Sequence, residues 1–254
     1  TTTAPGGGYT FTVAPGSGYK VRFVPGTTHG SEYHADARTL AAATPITVAT
    51  GATADIDASL TPAAQLAAVS GTITNAVGGA PLPNHKVTLF RDGTAFASQL
   101  TNGSGFYRFA DLPLGGRWDL RLADGTAFGQ QWWVLAPTRT TGTPLSLVGG
   151  TTVAASAAVT PLANLASVTG TVTSTAGGAP IGGISVRVIV GSTVVRTTTT
   201  SGAGTYTVAG LLPGTYTVRF IDPAHQFLNT WDEITVAAGG AAVLDATMVP
   251  TPPV

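Results

Sequence analysis

The strongest constraint on the fold of this chain is an internal repeat. Residues 68–122 and 167–220 align almost throughout, and each contains Gly-Gly-Ala-Pro, beginning at Gly78 and at Gly177. Residues 1–23 align with the later part of the same unit, and the first 60 residues lack Gly-Gly-Ala-Pro. Self-similarity along a chain indicates a structural unit that is used several times. The chain therefore contains three copies, of which the first begins in its middle.

The three copies end alike. Residues 44–62, 143–161 and 232–250 each contain a short apolar run, a turn with glycine, a second run and a final proline. At roughly 100 to 150 residues per domain, 254 residues are enough for two or three domains. We call the copies the first, second and third repeats. The pattern predicts the later part of a first repeat at 1–62, a second repeat at 63–162, a third repeat at 163–250 and a tail at 251–254.

Apolar and polar residues alternate within each copy. In the third repeat Ile184, Val186 and Val188 alternate with Ser185 and Arg187. A period of two, rich in β-branched residues and interrupted by glycine and proline, is typical of half-buried strands. Seven such strands per complete repeat predict an all-β chain of tandem antiparallel β-sandwiches, immunoglobulin-like or transthyretin-like. Gly-Gly-Ala-Pro falls between the first two strands and predicts a turn, since glycine accepts a positive φ.

The order of the short motifs resembles that of a known family. Val-x-Gly-Thr at Val69 and at Val168 is followed by Gly-Gly-Ala-Pro, by Gly-x-Tyr, by Leu-Pro and by a closing strand. This series resembles the carboxypeptidase regulatory-like domain, a transthyretin-like or prealbumin-like β-sandwich related to the Cna-B repeats of Gram-positive adhesins. The resemblance covers essentially the whole chain. It implies a secreted bacterial surface protein, in which such domains serve as spacers, stalks, adhesin modules or accessory domains beside enzymes.

The resemblance also raises the question of an isopeptide crosslink, which Cna-B-type domains often form between core-facing side chains. Lys20 and Lys86 are the two lysines of the chain. Alternation places both on the outward face of their strands, and the third repeat has no lysine. We therefore expect no crosslink.

Charge and composition exclude several classes of partner. The formal net charge is zero and only 9% of the residues are charged, so we expect neither nucleic acid nor an anionic membrane as a partner. No run of 18 apolar residues occurs, which predicts no membrane insertion. The absence of cysteine removes disulfides and thiolate metal sites. Abundant Thr, Ser, Ala and Gly with little Lys favours an extracellular or cell-surface location.

Residues suited to catalysis are scarce. His29 and His34 flank Glu32 and Asp36, a group that would suit a metal site or acid–base chemistry. The corresponding loops of the other repeats keep the aromatic residue and lose these ligands, so a solvated polar loop is the better interpretation. The Gly-Ser-Gly sequences lack the strand-to-helix elbow of serine hydrolases. We expect no enzyme activity, no catalytic or metal-binding residues and no cofactor.

Aromatic residues are the remaining candidates for a binding site. Tyr33, Trp132, Trp133 and Trp231 follow the fifth strand of their repeats, where a flat ring would stack on a sugar or pack within or between domains. Alternation allows only one of Trp132 and Trp133 to face the core, and we expect the other at the surface. Trp118 takes an inward strand position, and we expect it in the core.

Three functions follow from these features, in order of preference. The first is a non-catalytic structural or adhesive module of an extracellular rod, stalk or filament. Short apolar joints at 60–69 and 159–168 support it, because they lack the long Gly/Ser tracts of flexible linkers and so restrict bending. The second is a carbohydrate-binding accessory module that uses the aromatic residues, and an enzyme ranks last. The expected partners are other copies of the chain or neighbouring domains, with glycan as the alternative.

The incomplete first repeat adds an assembly hypothesis. A half sandwich exposes its core face and unpaired strand edges. We expect the missing strands to come either from sequence upstream or from another subunit by strand addition. Tyr9, Phe11 and Val13 alternate along the exposed part and are the predicted polymer contacts.

Overall fold

Strands make up nearly all the regular structure of the chain. The computed structural model describes residues 1–134 and 136–252. These residues form short β-strands and two 3-10 helices, Ala63–Gln65 and Leu162–Asn164, and contain no α-helix. Among them, no helix has the length and apolar character needed to cross a membrane. The chain is all-β, as the alternation predicts.

Two compact units divide the chain. Unit 1 comprises residues 1–69, 109–115 and 147–153, and unit 2 comprises residues 70–108, 116–146 and 154–254. Residues of the second repeat therefore occur in both units. The predicted repeat boundaries after residues 62 and 162 remain predictions.

Four strands lie wholly within unit 1. They are β1 (Gly16–Tyr19), β2 (Arg22–Phe23), β3 (Glu32–Tyr33) and β4 (Ile46–Val48). Strand β1 pairs antiparallel with β4, with Tyr19 opposite the buried Ile46, and β2 pairs antiparallel with β3. Residues 1–15 and 49–61 form no strand. The first repeat therefore has paired strands only in its middle.

Two sheets form from the strands of the second repeat. These strands are β5 (Leu66–Asn75), β6 (Lys86–Arg91), β7 (Thr94–Leu100), β8 (Phe106–Pro113), β9 (Trp118–Ala123), β10 (Gln131–Trp132), β11 (Thr152–Ala154) and β12 (Ala157–Val159). One sheet has the order β10-β9-β6-β7, and in the other β5 pairs with β11, β12 and β8. Trp118 of β9 is 1% exposed, which confirms its predicted core position.

The third repeat lies within unit 2 and also has two sheets. Its strands are β13 (Ala166–Ser174), β14 (Ser185–Val190), β15 (Thr193–Thr199), β16 (Thr205–Leu211), β17 (Gly214–Ile221), β18 (Thr230–Val236), β19 (Ala241–Val243) and β20 (Ala246–Met248). One sheet has the order β15-β14-β17-β18. In the other, β13 pairs with β16 on one side and with β19 and β20 on the other.

A single apolar core lies between the two sheets of the third repeat. Val168 of β13 and Val186 of β14 are fully buried in the same cluster. Along β17 the buried Tyr216 and Phe220 alternate with the exposed Arg219. Two sheets that share one core form a β-sandwich. The predicted fold and the predicted alternation are therefore confirmed in this repeat.

Three pairings differ from the predicted antiparallel arrangement. Strands β19 and β20 both run parallel to β13, and β12 runs parallel to β5. Parallel neighbours need a crossover connection, and β14 to β18 supply one between β13 and β19. The last strand of the third repeat is also divided in two, so eight strands stand where the sequence predicted seven.

Gly-Gly-Ala-Pro forms the predicted turn in both complete repeats. Gly78 and Gly177 each have φ 82°, and Gly79 and Gly178 each have φ 70°. This left-handed region is open to glycine and strained for other residues. The motif is therefore a connection between strands.

Candidate functional site

The histidine-containing loop of the first repeat holds a buried ion pair. Glu32 of β3 is 1% exposed, and its Oε2 lies 3.2 Å from Nη2 of Arg38. Burial raises the pKa of Glu32 above its ordinary value, and this outweighs the lowering effect of Arg38. No group of three or more His, Cys, Asp or Glu in the described part of the chain would hold a metal ion. The expectation of a solvated loop is wrong for Glu32, because Arg38 folds back onto it.

The predicted aromatic residues occupy equivalent positions on three different sheets. Each lies directly across from an arginine on the neighbouring strand: Tyr33 from Arg22, Trp132 from Arg121 and Trp231 from Arg219. Cross-strand neighbours of this kind are close enough for a guanidinium to contact a ring. Cζ of Arg22 lies 5.7 Å from the ring centroid of the half-buried Tyr33. The aromatic–arginine pair is therefore a shared feature of the repeats.

Trp132 and Trp133 pack within the second repeat. Trp132 is 6% exposed and its ring centroid lies 4.9 Å from that of Phe90, while Trp133 is half-buried. The segment after β10 returns over them: a Cβ at Gly142 would lie 3.1 Å from Cβ of Trp132, and Leu145 bridges to β9. A ring this deeply buried offers no face to a sugar. Of the two interpretations of Trp132, carbohydrate contact or packing within or between domains, its burial favours packing.

Trp231 is the exposed member of the set, at 64%. Strand β18 continues for seven residues where β10 stops after two, so no returning segment follows the ring. Arg187, Arg219 and Trp231 succeed one another across β14, β17 and β18. Neither guanidinium forms a salt bridge or hydrogen bond with any described residue. The row suits a ligand with a flat apolar face and a carboxylate or sulfate group.

The joints between repeats are packed around glycine. A Cβ at Gly30 would lie 2.0 Å from Cδ1 of Leu66, and a Cβ at Gly129 would lie 2.7 Å from Cδ2 of Leu165. Both distances are far inside van der Waals contact, so a side chain at either position would displace the leucine methyl group that packs there. Each loop glycine therefore packs against the leucine near the start of the following repeat.

Backbone hydrogen bonds fix these glycines in place. The N–H of Gly30 donates to the carbonyl of Thr61 at 2.9 Å, and the N–H of Gly129 donates to the carbonyl of Thr160 at 2.8 Å. In the third repeat Leu228 has the same bond, to Val249, and its side chain is 52% exposed. The third repeat thus keeps the backbone of the joint and replaces its glycine.

A tyrosine hydroxyl marks the break in the last strand of each complete repeat. Oη of Tyr206 donates to the carbonyl of Leu244 at 2.7 Å, and Oη of Tyr107 donates to the carbonyl of Ala155 at 2.7 Å. Burial raises the pKa of both hydroxyls, and the charge of Asp245 adds to the effect at Tyr206. Both tyrosines therefore remain protonated donors at neutral pH.

The same two carbonyls leave room only for glycine on the first strand. A Cβ at Gly170 of β13 would lie 1.9 Å from the carbonyl oxygen of Leu244. A Cβ at Gly71 of β5 would lie 2.4 Å from that of Ala155. The glycine of Val-x-Gly-Thr is therefore required by close approach of the last strand.

A side chain accepts the next hydrogen bond of the first strand. The N–H of Thr171 donates to Oδ1 of Asp245 at 2.7 Å, and the N–H of Thr72 donates to Oγ of Ser156 at 3.0 Å. In both repeats the acceptor follows directly after the residue that the tyrosine holds. The alternation of residues along the strands does not predict this arrangement, although the tyrosine and the polar acceptor recur at fixed positions of the repeat.

The first repeat contains an equivalent tyrosine and an equivalent acceptor, but its described residues include no equivalent of the first strand. Oη of Tyr9 donates to the carbonyl of Ile56, and burial followed by the charge of Asp57 raises the pKa of Tyr9. Asp57 thus stands where Asp245 stands in the third repeat. Phe11 and Val13, the other predicted polymer contacts, are 51% and 43% exposed. Both therefore lie at the surface and outside any strand.

A known family matches the third repeat. Residues 167–249 match the carboxypeptidase regulatory-like domain. The match confirms the family resemblance over this part of the chain. No match was found among curated proteins.

Several solved structures resemble the chain at low identity. The Bacillus anthracis TIE protein is 15% identical over 83% of this chain and 38% of its own, with a TM-score of 0.33. The streptococcal ancillary pilin is 12% identical over 95% of this chain and 77% of its own, with a TM-score of 0.39. The minor pilin GBS52 of Streptococcus agalactiae is 13% identical over 73% of this chain and 97% of its own, with a TM-score of 0.43. The chain spans just over a third of the TIE protein's length.

Proposed function

We propose, from the premise that residues 167–249 are a carboxypeptidase regulatory-like domain, that the chain is a non-catalytic structural or adhesive module of an extracellular rod, stalk or filament. The packed joints carry this proposal. A connection buried around a glycine restricts bending, whereas a flexible Gly/Ser linker lets domains reorient freely. The composition, with abundant Thr, Ser, Ala and Gly and little lysine, supports the extracellular location.

Leucine at residue 129 tests the role of the joints. Its side chain would need the space that Cδ2 of Leu165 fills, at 2.7 Å from the added Cβ, so we expect Gly129→Leu to open the second joint. The matched control is Leu228→Gly, which changes the equivalent exposed position of the third repeat. In negative-stain images we expect straight particles for the wild type and the control, and bent particles for Gly129→Leu. Compact round particles of the wild type would contradict the proposal.

Assembly through the first repeat is the finer part of the proposal. The strand position beside Tyr9 and Asp57 is bordered by exposed apolar side chains at Phe11 and Val13. An unpaired edge of this kind pairs readily with an added strand. We propose that a strand from outside residues 1–254 completes this sandwich and links the module to its neighbour in the assembly.

Carbohydrate binding at Trp231 is the second candidate function. The exposed ring beside two unpaired guanidinium groups favours it. A glycan array would compare the wild type with Trp231→Ala and with Trp132→Phe, which alters a buried ring and leaves the exposed row intact. Saturable binding that only Trp231→Ala abolishes would support this function. An array without any binding by the wild type would remove it.

A further inference from the structure

A row of exposed side chains crosses the outer face of the sheet β15-β14-β17-β18. Each residue of the row lies directly opposite the next on the neighbouring strand, and the row contains, from β15 to β18, Thr197, Arg187, Arg219 and Trp231. We infer that this row binds an anionic polysaccharide, with a sugar ring stacked on Trp231 and carboxylate or sulfate groups held by the two arginines. The inference rests on carbohydrate binding at Trp231, the second function proposed above.

Two like charges face each other in the middle of the row. Arg187 and Arg219 are directly opposite on neighbouring strands, an arrangement that costs stability when the charges are alike. Neither guanidinium forms a salt bridge or hydrogen bond with a residue of the described chain. Glu233 is on the same face, but it lies opposite Thr217, one row away. An anion from outside the chain would therefore neutralise two charges that the fold leaves side by side.

The second repeat shows that this cationic pair is particular to the third. There Thr88 takes the place of Arg187: it lies opposite Arg121, and its hydroxyl is hydrogen-bonded to that of Ser98 at 3.1 Å. Arg121 lies over the ring of Phe90, with Cζ 5.4 Å from the ring centroid. The second repeat thus has one arginine in this row and gives it a contact within the repeat. The third repeat has two and leaves both exposed.

Trp231 supplies a flat apolar surface beside these charges. It is 64% exposed, whereas Trp132 in the equivalent place is 6% exposed beneath residues 136–146. The residues after Trp231 remain in β18, so the ring is open to a ligand on the outer face. The apolar face of a sugar ring stacks on an indole of this kind. A peptide of Asp or Glu would satisfy the arginines and leave the indole uncovered, so the combination favours an acidic sugar.

The spacing of the row suits a chain of sugars that lies across the strands. Neighbouring strands are about 4.8 Å apart, so the backbones at Trp231 and Arg187 are separated by about 10 Å. A sugar on the indole would place its own anionic group beside Arg219, and the next acidic sugar would reach Arg187. A guanidinium binds an oxyanion through two parallel hydrogen bonds, which fixes the orientation of the group as well as its charge. Thr197 adds a hydroxyl at the far end of the row.

Calorimetric titration of the full chain with defined polymers tests the inference. The probes are dextran, which is neutral, dextran sulfate, polygalacturonate and the acidic peptide polyglutamate. At about 0.15 M ionic strength, where attraction between distant charges is screened, we expect saturable binding of dextran sulfate, of polygalacturonate or of both. The preferred polymer identifies the anionic group as sulfate or carboxylate. Dextran and polyglutamate each lack one of the two contacts and should bind at least about tenfold more weakly.

Variants of the row separate recognition from general charge attraction. Arg187→Ala and Arg219→Ala should each weaken binding about tenfold, the usual effect of losing hydrogen bonds to a charged group. Arg219→Lys keeps the charge and loses the paired hydrogen bonds, so its binding should remain weakened. Trp231→Ala should weaken binding several-fold through loss of stacking. Arg108→Ala is the matched control: it removes an exposed arginine of the second repeat and should leave the affinity unchanged.

Several results would overturn the inference. Equal weakening by Arg108→Ala and by the variants of the row would show general charge attraction. Preferential binding of polyglutamate would assign the row to an acidic peptide, and a dimer in sedimentation that Trp231→Ala abolishes would assign it to a second copy. Equal binding of dextran and the anionic polysaccharides, lost only in Trp231→Ala, would remove the anionic ligand and leave carbohydrate binding in place. Absence of binding by all probes would remove both, and the rod or stalk function would still be judged by its own images.

Discussion

Gly170→Ala is the sharpest test of how the last strand is held in the complete repeats. The added Cβ would lie 1.9 Å from the carbonyl oxygen of Leu244 and 3.0 Å from Cε1 of Tyr206. Relief requires a backbone shift of more than about 1 Å, since C···O contacts normally begin near 3.3 Å. Overpacking of a core costs about 1–3 kcal/mol. Loss of the bond from the buried Tyr206 hydroxyl adds about 1–3 kcal/mol. Together the two effects should destabilise the third repeat by about 2–6 kcal/mol.

Hydrogen exchange measures this loss locally, which matters because a chain of two units need not unfold in one step. A loss of 3 kcal/mol corresponds to exchange about 10²-fold faster for the protected amides of β13. Gly202→Ala is the matched control, because Gly202 is exposed and a Cβ there meets nothing within 4 Å. The reasoning would be refuted if the amides of β13 exchanged at the same rate in Gly170→Ala, Gly202→Ala and the wild type.

Three further predictions concern the buried polar and aromatic residues. Burial raises the pKa of Glu32 in the folded chain, so its ionisation costs stability as the pH rises past the ordinary value of 4.5. Glu32→Gln should therefore be more stable than the wild type at pH 7, and the difference should shrink towards pH 4 in thermal melts. A variant less stable than the wild type at pH 7 would contradict this. In denaturant titrations Trp132→Ala should lower the free energy of unfolding by about 3–5 kcal/mol, and Trp231→Ala should lower it by less than about 0.5 kcal/mol. Equal effects of the two variants would contradict the difference in burial between the two rings. Asp119→Ala removes the carboxylate that lies 3.0 Å from Nη1 of Arg139. Hydrogen exchange of the amides in residues 136–146 should then be about tenfold faster or more. Unchanged exchange would show that the ion pair does not hold this segment in place.

The alternation of apolar and polar residues predicts the β-sandwich from sequence. It does not predict which strands pair with each other. The buried positions of β17 and the core position of Trp118 follow from parity along one strand. Parity does not specify direction, so the parallel pairing of β19 and β20 with β13 was not expected. It depends on how the chain crosses between sheets.

For the candidate site, the sequence predicts which residues are equivalent but not how exposed each of them is. Tyr33, Trp132 and Trp231 were treated as equivalent because their neighbouring sequences align. Their exposures differ because residues 136–146 return over Trp132, while β18 continues directly after Trp231. The difference in segment length was visible in the sequence and was the available signal. Burial of Glu32 depends on Arg38 six residues later, a contact that no periodicity encodes.

Small-angle X-ray scattering of the full chain tests the central claim most directly. A single compact globule of 254 residues would have a radius of gyration of about 18 Å. The proposed module of a rod or stalk predicts a value well above this, together with the scattering profile of a rod. A radius of gyration near 18 Å with a globular profile would contradict the account.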